Sequence, residues 1–531
     1  MTTRPREVVG PLERGLAVLE AVAAGDGGRR GLGELARVTG LARSTVDRVA
    51  TTLTALGVLR AEGRDLLLAP GAAGLGNAYL DFCGLPGLLG PHATALAERL
   101  DEAVSLAVPD GDGVRFLAQA NRRRAMAIGF RPGDLLPARR CAPGALFAAG
   151  WDEERWAGHP DDPGFRARVA RARERGVAVD DQLIEPGLVS VALPVRDPAG
   201  AVVCAVSVVS HTSRHDAAAL EALAVAPLGD TVAAMETALA GGPARTAGPG
   251  TGPGTAGPEG GSGVAGFKEE LGSGFLQSLA RGLDVLRAFG AVRGSARLTD
   301  LARLTGLPRA TARRSLLTLA HLGYVREDPG GFVLLPRVLE LGHARLSALT
   351  LPEIATPHLV RLVRDVRESA SVAVLDGDDI RYVARVAGSR LLHIDIVVGT
   401  RLPAYATSMG RVLLGALPEG ERDGRLGRIV PEALTPRTLT GTGELREAVA
   451  ATAERGFGWV EEELEEGLRS VAVPVRDGAG RVVAALNVAL NAGRCPPEES
   501  LATLLPQLRE TAGRISADLA AVGRHAPVPT T

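Results

Sequence analysis

Leu279, Leu283, Leu286 and Phe289 recur at helical spacing and predict an amphipathic helix. Leu298, Leu301 and Leu304 mark a second helix that stops at Thr305-Gly306, and Pro308 suits the first turn of a third. That third helix carries Ala312, Leu316 and Leu319 inward and ends near Gly323. The period then falls to two. Tyr324-Val325-Arg326 and Phe332-Val333-Leu334-Leu335, parted by Asp328-Pro329-Gly330-Gly331, read as a hairpin. Helix, turn, helix and hairpin make a winged helix-turn-helix. A connecting helix from Arg337 to Leu349 follows. Beyond it lie short alternating runs with helices between them: Ser371–Leu375, Ile380–Val386, Leu391–Val398, Ser470–Val475 and Val482–Leu490. Mixed strands and helices of this kind predict an α+β sensor domain built on an antiparallel sheet.

The same pattern stands earlier in the chain. Val104-Ser105-Leu106-Ala107-Val108-Pro109-Asp110-Gly111 returns as Ala370-Ser371-Val372-Ala373-Val374-Leu375-Asp376-Gly377, at an offset of 266 residues. That offset also links Thr39-Gly40-Leu41 to Thr305-Gly306-Leu307, Gly57 to Gly323, Gly133 to Gly399 and Pro137 to Pro403. A register held so far means tandem duplication of a two-part unit. The expected fold class is therefore α+β in two tandem units. The boundaries are a winged helix at 8–72, an effector domain at 73–240, a second winged helix at 275–338 and a second effector domain at 339–522. Between them, 241–273 is dominated by Gly, Pro, Ala and Thr and is expected to be a flexible linker.

Composition narrows the possibilities. No apolar run approaches the roughly 20 residues that span a bilayer, and Met1-Thr2-Thr3-Arg4-Pro5-Arg6 does not lead into a signal-peptide core. The expectation is a cytoplasmic protein without membrane contact. Cys83, Cys141, Cys204 and Cys495 lie far apart, His211 and His215 have no further ligand set, and no nucleophile, phosphate loop or metal cluster is apparent. We expect no metal, no cofactor and no catalysis. Net charge is −1, so any contact with nucleic acid must come from local clusters.

Such a cluster opens the third helix of the second unit, Pro308-Arg309-Ala310-Thr311-Ala312-Arg313-Arg314. Arg309 and Arg313 share a face with Arg314 beside them, while the leucines take the other side. This places bidentate donors at the end of a helix that can enter the major groove. The corresponding segment of the first unit, Ala42-Arg43-Ser44-Thr45-Val46-Asp47-Arg48, keeps Arg43 and Arg48 but sets Asp47 where Arg313 stands. A carboxylate there repels phosphate. The predicted DNA contacts are Arg309, Thr311, Arg313 and Arg314, with Arg43, Ser44, Thr45 and Arg48 in the first unit.

The second unit carries SLARGLDVL, LTDLARLTGLPRATARRSLLTLAHLGYV, LPRVLELG, SVAVLDG, VGTRLPAYATSMGRVLL and EEGLRSVAVPVRD. In these motifs the chain resembles the IclR family of transcriptional regulators, twice over, and most nearly the subgroup governing protocatechuate and β-ketoadipate catabolism. The resemblance implies a winged-helix DNA-binding domain, a GAF-like effector domain and self-association. It also implies an effector pocket near Thr407, Ser408, Met409, Gly410 and Arg411, with Glu461, Arg469, Ser470, Asn487 and Ala489. Hydroxyls and free backbone amides beside Gly410 suit a small carboxylate. Arg411 and Arg469 either supply its counter-charge or tie to a neighbouring carboxylate such as Glu461 or Glu466. The first unit has Cys141-Ala142-Pro143-Gly144-Ala145 in place of Thr407–Arg411, and Val189 in place of Arg469. Its sensor is expected to have lost the anion site.

The expected function is a DNA-binding regulator whose second effector domain senses an acid from aromatic catabolism. Its partners would be double-stranded operator DNA, a small carboxylate effector and itself, within the chain and as a homodimer or larger assembly. The competing expectation is a ligand-binding sensor or scaffold that no longer binds DNA specifically.

Overall fold

A computed structural model describes residues 8–122, 129–159, 161–241, 262–388 and 396–530. The chain forms two compact units, Met1–Ala348 and Leu349–Thr531. The first holds both winged helices and the first effector domain. The second is the second effector domain.

Each winged helix follows its apolar pattern. Helices Gly10–Ala23, Leu32–Thr39 and Arg43–Ala55 precede strands Leu59–Glu62 and Asp65–Leu68, with Arg29–Gly31 as a third strand. Their counterparts are Gln277–Ala288, Leu298–Thr305 and Arg309–His321, with strands Val325–Asp328 and Gly331–Leu334. Leu279, Leu283, Leu286, Ala312, Leu316 and Leu319 are fully buried. The tight turn before each third helix depends on Gly40 and Gly306, at φ 69° and 64°, a conformation that ends a helix without a Cβ clash. Pro308 caps the third helix from just outside instead of entering its first turn.

The two winged helices pack on one another. Their first helices meet with Leu12 against Gly282 and Leu279 against Gly15, so closely that a methyl at either glycine would collide with the facing leucine. Two buried threonines close the junction symmetrically. Thr52 Oγ1 accepts from the Leu276 amide and Thr318 Oγ1 from the Val9 amide, both at 2.9 Å. Each hydroxyl donates to its own helix, to Arg48 O and Arg314 O. Tyr324 of the second domain donates its hydroxyl to Glu20 of the first.

Two expectations fail here. The connecting helix is continuous in the first unit as Ala73–Cys83, but its mirror is a 3-10 segment, Pro336–Leu341, and a short helix, His343–Leu346. The break falls at Gly342, whose φ is 105° and which leaves room for the Leu68 side chain. The linker expected over 241–273 ends in helix Ser262–Leu271. There Phe267 stacks near Phe275, with ring centroids 6.0 Å apart, giving the segment an apolar anchor that composition alone concealed. Residues 242–261 lie outside those described.

Both effector domains carry a six-stranded antiparallel sheet. Its order in the first is Leu135–Pro137, Gly113–Ala120, Ala103–Asp110, Val202–His211, Leu188–Arg196, Ala178–Asp181. In the second it is Arg401–Pro403, Asp379–Val386, Ser369–Asp376, Val482–Asn491, Leu468–Arg476, Gly458–Glu461. Of the expected strand Leu391–Val398, residues 391–395 lie outside those described and 396–398 form no strand. The long helix Ala217–Ala240 is apolar enough, by length and composition only, to cross a membrane. Its Leu220, Ala224, Leu228, Val232 and Met235 form one buried stripe.

The first effector domain is moored to the connector that follows the second winged helix. Arg115, 2% exposed, binds Asp110 of its own domain at 2.7 Å and Gly133 O at 2.9 Å, and reaches Glu340 at 2.7 Å. Gly133, at φ 99°, lies against the backbone of Ala344.

Overfilling the helix junction should cost stability. Gly282→Ala is expected to lower unfolding stability by about 1–3 kcal/mol, and Thr318→Val by about 1–3 kcal/mol through the stranded Val9 amide. Urea denaturation of the two variants measures both.

Candidate DNA-reading helices and effector cavities

In the second winged helix, Arg309, Arg313 and Arg314 are exposed on the third helix and Thr311 is half-buried beside them. The buried Ala312, Leu316 and Leu319 fix the opposite side. This is the disposition expected from the sequence. In the first winged helix, Arg43, Ser44, Asp47 and Arg48 are exposed and Thr45 is half-buried. Arg48, however, donates to Ser273 O at 2.7 Å, which ties its guanidinium into the junction between the two domains.

The second effector domain holds a small, partly open cavity of about 20 Å³ at the start of helix Ser408–Gly415. Thr407, Ser408, Met409, Ser470, Asn487 and Ala489 line it. Tyr382, Ile396, Val460, Leu464 and Leu468 supply an apolar wall that the sequence motifs did not indicate. Thr407 caps the helix by accepting from the Gly410 amide at 3.1 Å. The Ser408 and Met409 amides are left without intrahelical acceptors, as at any helix start. Ser470 donates to Ser408 Oγ at 2.8 Å, and Asn487 Oδ1 is buried without a hydrogen-bond partner. Gly410 is needed because a Cβ would strike the Ala404 backbone.

Neither arginine faces this space. Arg411, 4% exposed, pairs with Glu463 and donates to Tyr405 O at 3.3 Å. Arg469, 3% exposed, pairs with Glu461 at 2.6 Å and donates to Cys495 O and Ser500 Oγ. Of the two roles open to them, the structural tie is the one observed, and Glu461 serves it too. The walls and the helix start carry the polar chemistry.

The first effector domain keeps the frame and changes the lining. Cys141 and Ala142 replace Thr407 and Ser408. Pro143, replacing Met409, has no amide proton to offer an anion. Burial pushes the Cys141 thiol up to about 12, so it stays neutral. One further substitution lies at the offset that sets Val189 in place of Arg469. Asp180 pairs in register with Ser190 as Val460 pairs with Ser470, so these positions are 280 residues apart. A buried acid thus stands in the place of a cavity-lining valine. Its first oxygen accepts from the Leu183 amide at 2.8 Å; its second has no partner. Burial raises its pKa to about 6, against the pull of Arg168 and Arg140.

The pattern of the bacterial transcriptional regulator IclR C-terminal domain matches residues 77–235 and again 343–517. That of the IclR helix-turn-helix domain matches 11–63 and 278–329. The chain belongs to the IclR family. It holds two complete IclR units and is a DNA-binding transcriptional regulator of that type. It is 44% identical over 235 residues to the Pca regulon regulatory protein of Pseudomonas putida, covering 44% of this chain and 81% of that protein. It is 35% identical over 246 residues to the p-hydroxybenzoate hydroxylase transcriptional activator of Acinetobacter baylyi, covering 45% and 91%. Among solved structures, a regulator from Rhodococcus sp. RHA1 is 52% identical with a TM-score of 0.45, covering 47% of this IclR protein and all of that chain.

The raised pKa of Asp180 sets a sign for pH dependence. A carboxyl that holds its proton more tightly in the folded state contributes stability below about pH 4, and that contribution is lost as pH rises through about 6. Asp180→Asn keeps the acceptor for Leu183 and removes the charge. It should therefore be more stable than wild type at pH 7.5 by about 1–2 kcal/mol, part of the gain being offset by the unpartnered amide. The difference should vanish near pH 4 in paired thermal melts.

Proposed function

We propose that this IclR protein regulates genes of aromatic-acid catabolism, reading an asymmetric operator with two unlike heads and sensing a hydroxylated aromatic acid through its second effector domain. The observation that carries the sensing role is the convergence of polar groups on the small cavity at the helix start, with the unpaired Asn487 Oδ1 on its wall; the cavity widens to admit the acid. A carboxylate accepts from the Ser408 and Met409 amides, where the helix dipole also favours it. Asn487 Oδ1 then accepts from a ring hydroxyl, while Tyr382, Ile396 and Leu464 cover the ring. The Pca and p-hydroxybenzoate relatives, by their names, support an acid of this class.

The operator follows from the pairing of the winged helices. One chain presents both reading helices, so no bimolecular step is needed to bring them together. Arg309, Arg313 and Arg314 are exposed on one head. On the other, Asp47 disfavours phosphate and Arg48 is engaged by Ser273. The second head then supplies most base and phosphate contacts. Effector binding shifts the population between arrangements of the protein that differ in DNA affinity.

Fluorescence anisotropy on the DNA upstream of its own gene tests this, with 4-hydroxybenzoate or protocatechuate added. Arg309→Ala should lose about 1–3 kcal/mol of specific binding, whereas Arg43→Ala should lose less. Asn487→Val, which removes the acceptor for the ring hydroxyl, should blunt the response to the acid without changing affinity in its absence. Equal binding by wild type and Arg309→Ala would remove this helix as the reader. Binding that ignores both acids would remove the proposed effector class.

A further inference from the structure

The first effector domain has more than lost an anion seat. Asp180 is fully buried, and its Oδ2 faces the side of the sheet that forms the cavity wall in the second domain. The turn it caps accounts for Oδ1 alone. On the same sheet face Ser105 and Ser207 stand opposite one another on neighbouring strands, each with a buried hydroxyl that has no partner. Ser207 holds the strand position that Asn487 holds in the second domain, since each pairs with the alanine two residues after the paired serine.

A buried carboxylate is retained where something balances it. The nearby cations pull on Asp180 from a distance, and neither hydrogen-bonds its Oδ2. Arg140 donates to Leu183 O and Ile184 O, and Arg168 to Arg139 O. The remaining neighbours, Asp181 and Cys141, bring no positive charge. The surroundings are otherwise apolar. Phe116 and Phe130 stack with centroids 4.2 Å apart, at the positions of Tyr382 and Ile396. Pro143, Ala142 and Ser207 are each smaller than the Met409, Ser408 and Asn487 they replace, while Phe130 is larger than Ile396.

We propose that the first effector domain is a second ligand site of opposite sign, taking a small organic ammonium ion. Its charged head pairs with Asp180 Oδ2, and its apolar or aromatic body lies against Phe116, Phe130 and Ile184. The removal of the donor at Pro143 and the appearance of an acceptor at Asp180 point the same way: the site rejects carboxylates and selects cations. The protein then responds to two chemically distinct small molecules, one in each half. This inference does not depend on the operator or on the acid assigned to the second domain.

Calorimetric titration of the full-length protein at pH 7.5 with benzylamine, phenethylamine and isobutylamine tests it, with benzyl alcohol and benzoate for comparison. At least one amine should bind saturably at one site per chain. Benzyl alcohol, which has the same body without the charge, should bind at least about tenfold more weakly than benzylamine. Asp180→Asn and Asp180→Val should each weaken the amine at least about tenfold while still unfolding cooperatively. No saturable binding by any of the three amines overturns the proposal. So does equal binding of benzyl alcohol, or amine affinity unchanged in both variants.

Discussion

The contact on which the first compact unit depends is the reciprocal seating of Leu12 against Gly282 and Leu279 against Gly15. Apolar packing of this closeness tolerates no added atoms, and it fixes the two winged helices as a pair before any DNA is present. Thr52 and Thr318 complete it by satisfying an amide that each partner would otherwise bury unpaired. Because both partners belong to one chain, their relative concentration does not vary with expression level.

Duplication allowed the two halves to diverge without losing this pairing. The scaffold positions persist: Gly144 and Gly410 both pass against a backbone that a Cβ would strike. What changed is the polarity of a few buried side chains. Thr407, Ser408 and Met409 became Cys141, Ala142 and Pro143, and Val460 corresponds to Asp180. The backbone sets where a ligand can sit, and a handful of side chains set which charge is tolerated there.

Much of this was legible in the sequence. The periodicity of Leu279, Leu283 and Leu286, the turn at Gly306 and the alternation in Ser470–Val475 each reflect burial that the chain writes locally. Six of the ten effector residues expected from the resemblance line the cavity. The two arginines stand outside its lining for a physical reason. Arg411 and Arg469 are buried beside a polar space, yet a buried guanidinium needs its own carboxylate, and Glu463 and Glu461 provide it. Breaks such as Gly342 escaped notice because they answer to a neighbour, Leu68, distant in sequence. Asp180 lies at the offset that sets Val189 against Arg469, but nothing local in the sequence marks an acid as buried.

The ion cluster at Arg115 bears on the history of the chain. Its guanidinium is shared between Asp110, from the first half, and Glu340, from the second, where the repeat-equivalent position of the first half is Gly74. Gly74 offers no carboxylate, so this ion pair has no counterpart at the repeat-equivalent position. A gene split back into its halves would yield a first protein lacking one of the acids that hold Arg115 and a second lacking the domain its own winged helix rests on. The fusion works as a ratchet: once such one-sided contacts had formed, the two copies ceased to be separable parts.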